Sequence, residues 1–343
     1  TGHSNVAVGA NALDANTTGG YNTSLGYNSL SANTTGSDNT AVGVGALRDN
    51  ITASNNVAIG RLSLLLNTGS DNTAVGYNSL GANTTGTDNV AVGANALDAC
   101  TTGGNNTALG TSALSSLTTA TNTTAVGKSA GDSVTTASNV TVVGYNAGQS
   151  KQTGDSLTAV GNSALYSATG NNNVAIGNNA AYSVSDGTNN VAIGHYSLML
   201  GNPSGSTFVG SMAGYNSTGN NNTGIGQGTL TNVGGTNNTC LGASAATSAG
   251  DSSNQITLGD ANISTLRCAD TSISSLSDRR DKTDIVDLPI GLDFINSVRP
   301  VKFKWQTREG VPTKDGTIRA GFIAQELQEA QKDCDYLDLI HND

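Results

Sequence analysis

The chain has 343 residues, which at roughly 150 residues per domain corresponds to about two domains. Its charge is divided in the same way: 17 charged residues lie in the first 276 positions, and 23 lie in the last 67. With 44 glycines in the chain and few aromatic residues, the first part cannot fill the thick core of a sandwich, a barrel or an α/β domain. The net charge of −10, without a basic stripe, argues against nucleic acid as a partner.

Several other classes of protein are also disfavoured. No stretch approaches the ~18–20 apolar residues of a membrane span, and Thr1 heads no signal peptide, so we expect a soluble chain or a processed or trimmed fragment. The cysteines are far apart and the histidines lack metal-ligand spacing, so we expect idle thiols and surface imidazoles, with no disulfide, metal or cofactor. These residues are Cys100, Cys240, Cys268 and Cys334, and His3, His195 and His341.

A repeat of 16 or 17 residues occupies most of the chain. Asn stands four positions before the repeat glycine in eleven of sixteen units, and Leu stands four positions after it in ten of the first fifteen. This period without helical spacing predicts a parallel β-solenoid, a β-roll or β-helix, of about 16 coils over residues 1–260. An aliphatic residue precedes the glycine in every unit, at Gly9, Gly26, Gly43, Gly60, Gly76, Gly93, Gly110, Gly127, Gly144, Gly161, Gly177, Gly194, Gly210, Gly226, Gly242 and Gly259.

The repeat also predicts how each coil is filled. We expect Val8 and its equivalents to point inward as an aliphatic ladder, with Ala12 and Leu13 and their equivalents closing a narrow core. The glycines would supply a positive φ or a close backbone approach, and the Asn column would form amide ladders between coils. Because so thin a core leaves apolar surface in water, the sequence predicts that several chains associate along a shaft of about 75 Å.

The unit Asn-x-Ala-Val-Gly-x-x-Ala-Leu resembles the head repeats of trimeric bacterial autotransporter adhesins, over about residues 5–260. That resemblance implies a left-handed parallel β-roll in each of three chains. The period in those heads is shorter than the period here.

The remainder of the chain predicts a transition segment over residues 261–276 and a small α+β module over residues 277–343. Pro289 is placed to begin a helix that runs to Val298 and ends before Pro300. Alternation predicts a strand from Val301 to Trp305, which would pair as a hairpin with a strand over 318–324 and be followed by a helix over 325–332.

Four motifs in this module resemble the endosialidase-type intramolecular chaperone of phage tail fibres and tailspikes. They are Ser-Asp-Arg-Arg-Asp-Lys-Thr-Asp-Ile at 277–285, Gly-Leu-Asp-Phe-Ile at 291–295, Arg-Pro-Val-Lys-Phe-Lys-Trp at 299–305 and Gly-Phe-Ile-Ala-Gln-Glu at 321–326. The resemblance implies a module that trimerises, guides the folding of the fibre before it and then cuts itself off. It implies cleavage between Leu276 and Ser277, with Ser277 as nucleophile and Lys282 as base. Asp281 departs from the apolar residue of many members, and the module is shorter than is usual there.

Other residues suggest chemistry less specifically. Asp14 and Asp98 share an Ala-Leu-Asp-Ala context, but carboxylates this sparse favour solubility over glycan cleavage, which needs two facing one sugar. Exposed tyrosines that could stack on sugars are more simply ordinary surface aromatics of a β structure; they are Tyr27, Tyr77, Tyr145, Tyr196 and Tyr215.

Together these patterns predict a homotrimeric phage tail fibre or appendage for host attachment, located on the virion and outside the cell. Its partners would be its own copies, other tail proteins and a host surface glycan or protein, without nucleic acid or membrane insertion. Any enzymatic activity would be a single self-cleavage by a Ser-Lys dyad, with no external substrate. The alternative is the head of a bacterial trimeric surface adhesin, on the cell surface. An ice-binding solenoid is disfavoured because its threonine pairs would alternate, whereas those here are adjacent.

Overall fold

A computed structural model describes residues 2–149, 155–265, 298–303 and 319–323, together with Glu326 and Glu329. The chain divides into two units, Thr1–Leu266 and Arg267–Asp343. The first unit contains sixteen strands of three residues each: Val6–Val8 (β1), Thr23–Leu25 (β2), Thr40–Val42 (β3), Val57–Ile59 (β4), Thr73–Val75 (β5), Val90–Val92 (β6), Thr107–Leu109 (β7), Thr124–Val126 (β8), Thr141–Val143 (β9), Thr158–Val160 (β10), Val174–Ile176 (β11), Val191–Ile193 (β12), Thr207–Val209 (β13), Thr223–Ile225 (β14), Thr239–Leu241 (β15) and Ile256–Leu258 (β16). In the second unit, Val301–Phe303 (β17) pairs with Arg319–Gly321 (β18).

The sixteen strands form a single parallel sheet in which each strand pairs only with the strands of the preceding and following coils. The register is set by the repeat, so that Val8 lies beside Leu25 and Ala41 lies beside Ala58. The chain therefore rises by one strand spacing, about 4.8 Å, in every 16 or 17 residues. This confirms the predicted parallel β-solenoid of about sixteen coils, and each coil is numbered here after its strand.

The prediction that Val8 and its equivalents fill the core is wrong. Val8 is 55 % exposed and Leu109 is 46 % exposed, whereas the middle strand residues Ala41 and Ala58 are fully buried. The reason is the alternation of side chains along a strand: in three residues only the middle one points inward, so the first and third point out. The aliphatic residue before each glycine therefore forms a ladder on the outside of the coil.

The leucine four positions after the glycine is the principal core residue, as the sequence predicts. Leu30, Leu47 and Leu97 are each fully buried. Their backbone is left-handed, and all ten leucines at this position have φ between 48° and 56°. Such a conformation costs an L-residue roughly 1–2 kcal/mol, while full burial of a leucine side chain is worth about 1.5–3 kcal/mol. Burial therefore offsets the backbone strain in the ten coils that carry this leucine.

The left-handed backbone explains why glycine replaces this leucine in three coils. Gly131, Gly148 and Gly214 occupy the leucine position with φ of 61°, 57° and 62°. Where the leucine is missing, a larger residue fills the space. In coil 13 the inward strand residue is Phe208, and a Cβ added to Gly214 would lie 2.5 Å from its ring. In this coil the larger strand residue thus compensates for the missing leucine.

Two columns of asparagine connect the coils. In the predicted column, the backbone N–H of Asn39 donates to Oδ1 of Asn22 (3.0 Å), and Nδ2 of Asn39 donates to the carbonyl of Ala53 (2.9 Å). A second column lies seven positions after the glycine, where Nδ2 of Asn33 donates to Oδ1 of Asn16 (3.0 Å). These bonds confirm the predicted ladders, and many of them satisfy main-chain groups, which would otherwise be costly to bury.

The repeat glycine serves both of the predicted purposes. At Gly93 φ is 136°, and a Cβ would lie 2.5 Å from the carbonyl oxygen of Gly110 in the next coil. A side chain at this position would therefore strain the backbone and separate the two coils.

The volume exchange in coil 13 predicts the behaviour of a double-mutant cycle. Phe208→Ala should lower the free energy of unfolding by about 3–5 kcal/mol because it leaves a cavity. Gly214→Leu alone should destabilise the coil because the new side chain overlaps the Phe208 ring. The double variant recreates the Ala and Leu pair of coil 3, so it should recover most of the loss in a urea unfolding experiment. If the two losses simply add, the proposed exchange of volume is wrong.

Candidate functional site

The predicted self-cleavage residues Leu276, Ser277 and Lys282 lie outside the described residues. The same holds for His341, Cys268, Cys334 and the predicted helix from Pro289 to Val298, except that Val298 itself is described, in a bend. In this module the structure describes the hairpin and a few residues beside it.

The predicted hairpin is present as the antiparallel pair β17 and β18. Lys302 lies beside Ala320, and Val301 lies beside Gly321. Lys302 is exposed while its neighbours Val301 and Phe303 are half-buried, which matches the expected alternation. β18 is shorter than predicted, because Phe322 and Ile323 lie outside it, and Trp305 of the predicted first strand lies outside the described residues.

An ion pair connects two of the four motifs of this module. The guanidinium of Arg299 contacts both carboxylate oxygens of Glu326, with Nε at 3.3 Å from Oε2. Glu326 and Glu329 are helical, as predicted, and the N–H of Glu326 donates to the carbonyl of Ile323 (3.0 Å). Hydrogen bonding to Glu326 raises the pKa of Arg299, with the charge of the carboxylate as a further cause. Because both side chains are solvent-accessible, the fork geometry orients the two motifs more than it stabilises them.

The candidate carboxylates of the shaft do not form a hydrolytic pair. Asp14 and Asp98 lie in coils 1 and 6, about 24 Å apart along the stack, whereas glycosidase carboxyls lie within roughly 9.5 Å of each other. Burial raises the pKa of Asp98, and the charge of Asp132 raises it further. Asp132 is two coils further on in the same column, but Ser115 occupies the intervening coil and donates to Asp132. A sugar therefore has no open cleft between these two carboxylates.

Three of the five candidate tyrosines are exposed and two, Tyr196 and Tyr215, are half-buried, and they do not form one platform. Tyr27, Tyr77 and Tyr145 are about half exposed and lie in coils 2, 5 and 9, so about 14 and 19 Å separate them along the stack. The guanidinium of Arg61 lies 5.7 Å from the centre of the Tyr77 ring. The simpler interpretation as ordinary surface aromatics agrees with this placement.

One aromatic contact was not predicted from the sequence. Tyr166 and Tyr182 stack with ring centres 4.8 Å apart and an interplanar angle of 8°. Both stand five positions after the repeat glycine in adjacent coils, and this shared position is the sequence signal that would have revealed the pair. Since the rings cover each other, the faces between them are closed to a sugar.

The described cysteines and histidines have no partners that suggest chemistry. Cys100 and Cys240 are free and buried, and burial raises the pKa of the Cys100 thiol to about 11. A thiol with such a pKa is a poor nucleophile at neutral pH. His3 packs edge-on against Tyr21, and His195 lies against Tyr196. Within the described ranges, no group of three or more His, Cys, Asp or Glu side chains could hold a metal ion.

The described part of the chain contains no helix that is long and apolar enough to cross a membrane.

The hairpin, the ion pair and the order of the four motifs are the features of the second unit that point to a function. Residues 277–336 match the peptidase S74 family, the chaperone of endosialidase. No curated protein and no solved structure matches the chain.

The match to the chaperone of endosialidase begins at Ser277, the residue after the predicted scissile bond. It covers 60 of the 343 residues and includes β17, β18 and the pair of Arg299 with Glu326. The solenoid lies outside the matched range. The chain therefore joins an endosialidase-type chaperone module to a parallel β-solenoid, an arrangement that fits a fibre-like protein.

Proposed function

We propose that the chain is a subunit of a homotrimeric phage tail fibre or appendage protein that serves host attachment. The observation that carries this proposal is the junction itself: a sixteen-coil solenoid is followed by residues that match the chaperone of endosialidase. In this proposal the protein acts on the virion, outside the cell. Its partners are two further copies of itself, other tail proteins, and a glycan or protein receptor on the host surface.

The repeat creates a problem that such a module solves. Because equivalent residues recur every 16 or 17 positions, parallel copies that are shifted by one whole coil present almost the same surfaces to each other. The shaft alone therefore specifies its alignment weakly. A non-repetitive trimerising module at one end brings three chains together at a single defined point, from which the coils align in order.

Self-cleavage would then separate the module from the finished shaft. In this step the Oγ of Ser277 attacks the carbonyl carbon of Leu276, the C–N bond breaks as an ester forms, and water hydrolyses the ester. Lys282, whose amine must be neutral, takes the hydroxyl proton and passes it to the departing nitrogen of Ser277. Removal of the module leaves the fibre without its folding aid, so its persistence depends on the barrier to unfolding.

A bacterial trimeric surface adhesin head is the second candidate. The Ala-Val-Gly repeat and the solenoid favour it, since they resemble such heads. The matched module favours the fibre, because a chaperone that cuts itself off has a use in a protein that must be assembled once and then remain in place.

Substitution at the predicted nucleophile tests the cleavage step. Ser277→Ala removes the attacking hydroxyl, so the product should stay as one piece on a denaturing gel, whereas the parent chain should appear as two. Ser275→Ala is the matched control, because it removes a hydroxyl two positions away, and it should cleave normally. Cleavage that persists in Ser277→Ala would remove Ser277 from the mechanism.

Deletion of the module tests its role in assembly. A chain that ends at Leu276 should give mainly aggregates, because its coils lack a defined starting register. The uncleaved Ser277→Ala chain should form soluble trimers that sedimentation equilibrium can weigh. Soluble trimers of the truncated chain at the same yield would show that the shaft needs no chaperone.

A further inference from the structure

The outward face of the sixteen-stranded sheet carries an unbroken column of aliphatic side chains along its whole length. The third residue of every strand is Val, Ile or Leu, and it points away from the core. Eight of these side chains are between 39 % and 55 % exposed: Val8, Leu25, Ile59, Leu109, Ile176, Ile225, Leu241 and Leu258. The first residue of each strand also points outward and is Thr, Val or Ile. This surface, formed by the first and third residues of β1 to β16, is called the strand face below.

The strand face carries no charge, whereas other segments of the coils do. None of the sixteen strands contains Asp, Glu, Lys or Arg. The described charges of the shaft lie in two other segments of the coil. One segment, one to six residues after the glycine, contains Asp14, Arg48, Asp49, Arg61, Asp98, Lys128, Asp132 and Asp260; the other, five to eight residues before it, contains Asp38, Asp71, Asp88, Asp155, Asp186 and Asp251.

The strand face has an aliphatic third-residue column and threonine at ten of its sixteen first-residue positions, and its total area exceeds that of the apolar patches of ordinary monomers. Fifteen intervals of about 4.8 Å and three extended residues give a surface of about 72 Å by about 10 Å, or about 700 Å². The largest apolar patch on a typical monomer is about 300–600 Å², and a stable interface buries about 800 Å² per partner. The size of the strand face is therefore that of an interface between proteins.

We propose that the strand face is the surface through which copies of this chain pack against one another, side by side and parallel. This inference rests on the proposed homotrimer and assigns its interface. A partner that contacts every coil must repeat at the same spacing of about 4.8 Å, and another copy of this chain does so. The copies each carry a net charge of −10, so they repel one another, and the uncharged face is where they approach at the lowest electrostatic cost.

Added charge on two faces of the shaft tests the assignment in the full-length chain. Ile59→Asp with Leu109→Asp places two carboxylates on the strand face, where both side chains are exposed. Thr85→Asp with Thr102→Asp adds the same charge to exposed turn positions and is the matched control. Sedimentation equilibrium should show that the strand-face pair raises the concentration for half assembly by about tenfold or more, because buried like charges oppose association. The control pair should assemble like the parent chain.

A cross-linking experiment tests the same interface if the strand-face aspartates prevent folding. In a background with Cys268→Ser and Cys334→Ser, Leu109→Cys places a single exposed thiol on the strand face, since Cys100 and Cys240 are buried. A bis-maleimide with a spacer of about 10 Å, the distance between packed sheets, should join two copies of this variant. Thr102→Cys, the matched turn variant, should remain unlinked.

The possible results of these experiments distinguish an error in the proposed interface from an error in the proposed homotrimer. Loss of assembly with the strand-face pair alone, or cross-linking through position 109 alone, supports the interface. A trimer in which both charge pairs behave alike, or in which position 102 links and position 109 does not, overturns the interface and leaves the trimer standing. A parent chain that sediments as a monomer overturns the proposed trimer itself.

Discussion

The narrowness of the coil interior governs the rest of this structure. Each coil contributes a three-residue strand, of which only the middle side chain points inward, and in ten coils a leucine in a left-handed turn completes the core. Parallel stacking in register then places every residue beside its equivalent in the next coil. A residue type that recurs at one position of the repeat therefore forms a column along the shaft. Each such column is buried, hydrogen-bonded or exposed.

This constraint accounts for the composition of the chain. The interior accepts alanine beside leucine, or a larger strand residue beside glycine, as Phe208 with Gly214 shows. Buried asparagines close the remaining main-chain hydrogen bonds between coils. Because side chains alternate along a three-residue strand, the valines, isoleucines and leucines before the glycines lie outside while the middle residue lies inside. The strand face is thus a consequence of that alternation, and association of copies is the means by which its apolar surface leaves water.

Much of the fold could be predicted from the sequence because one period of the repeat corresponds to one coil of the stack. The spacing of the glycines predicts the coils, their parallel order and the burial of Leu30 and its equivalents. Periodicity did not predict which aliphatic residue points inward, since Val8 and Leu13 recur with the same period and differ only in backbone geometry. The ladder of Val8, which the period predicts inside the coil, therefore lies outside it. The left-handed φ of the leucines was detectable in retrospect, because glycine replaces leucine at Gly131, Gly148 and Gly214.

The module was predicted less completely, and for a physical reason. The hairpin of β17 and β18 follows from local alternation, whereas the pair of Arg299 with Glu326 joins residues 27 positions apart that no local pattern relates. The dyad of Ser277 and Lys282 stays a prediction from family resemblance, supported by a family match that begins at Ser277. Residue spacing alone does not predict which side chains that are distant in the sequence come into contact, and so it does not predict the chemistry that depends on such contacts.

The claim to test is that copies meet on the strand face, where alternation along each strand places the aliphatic residues. Carbene footprinting of the assembled protein, read residue by residue by mass spectrometry, tests it most directly. If copies pack on the strand face, the third strand residues should be labelled far less than exposed turn residues such as Thr85, although a single chain exposes both. Equal labelling of the two sets in the assembled protein would contradict the account.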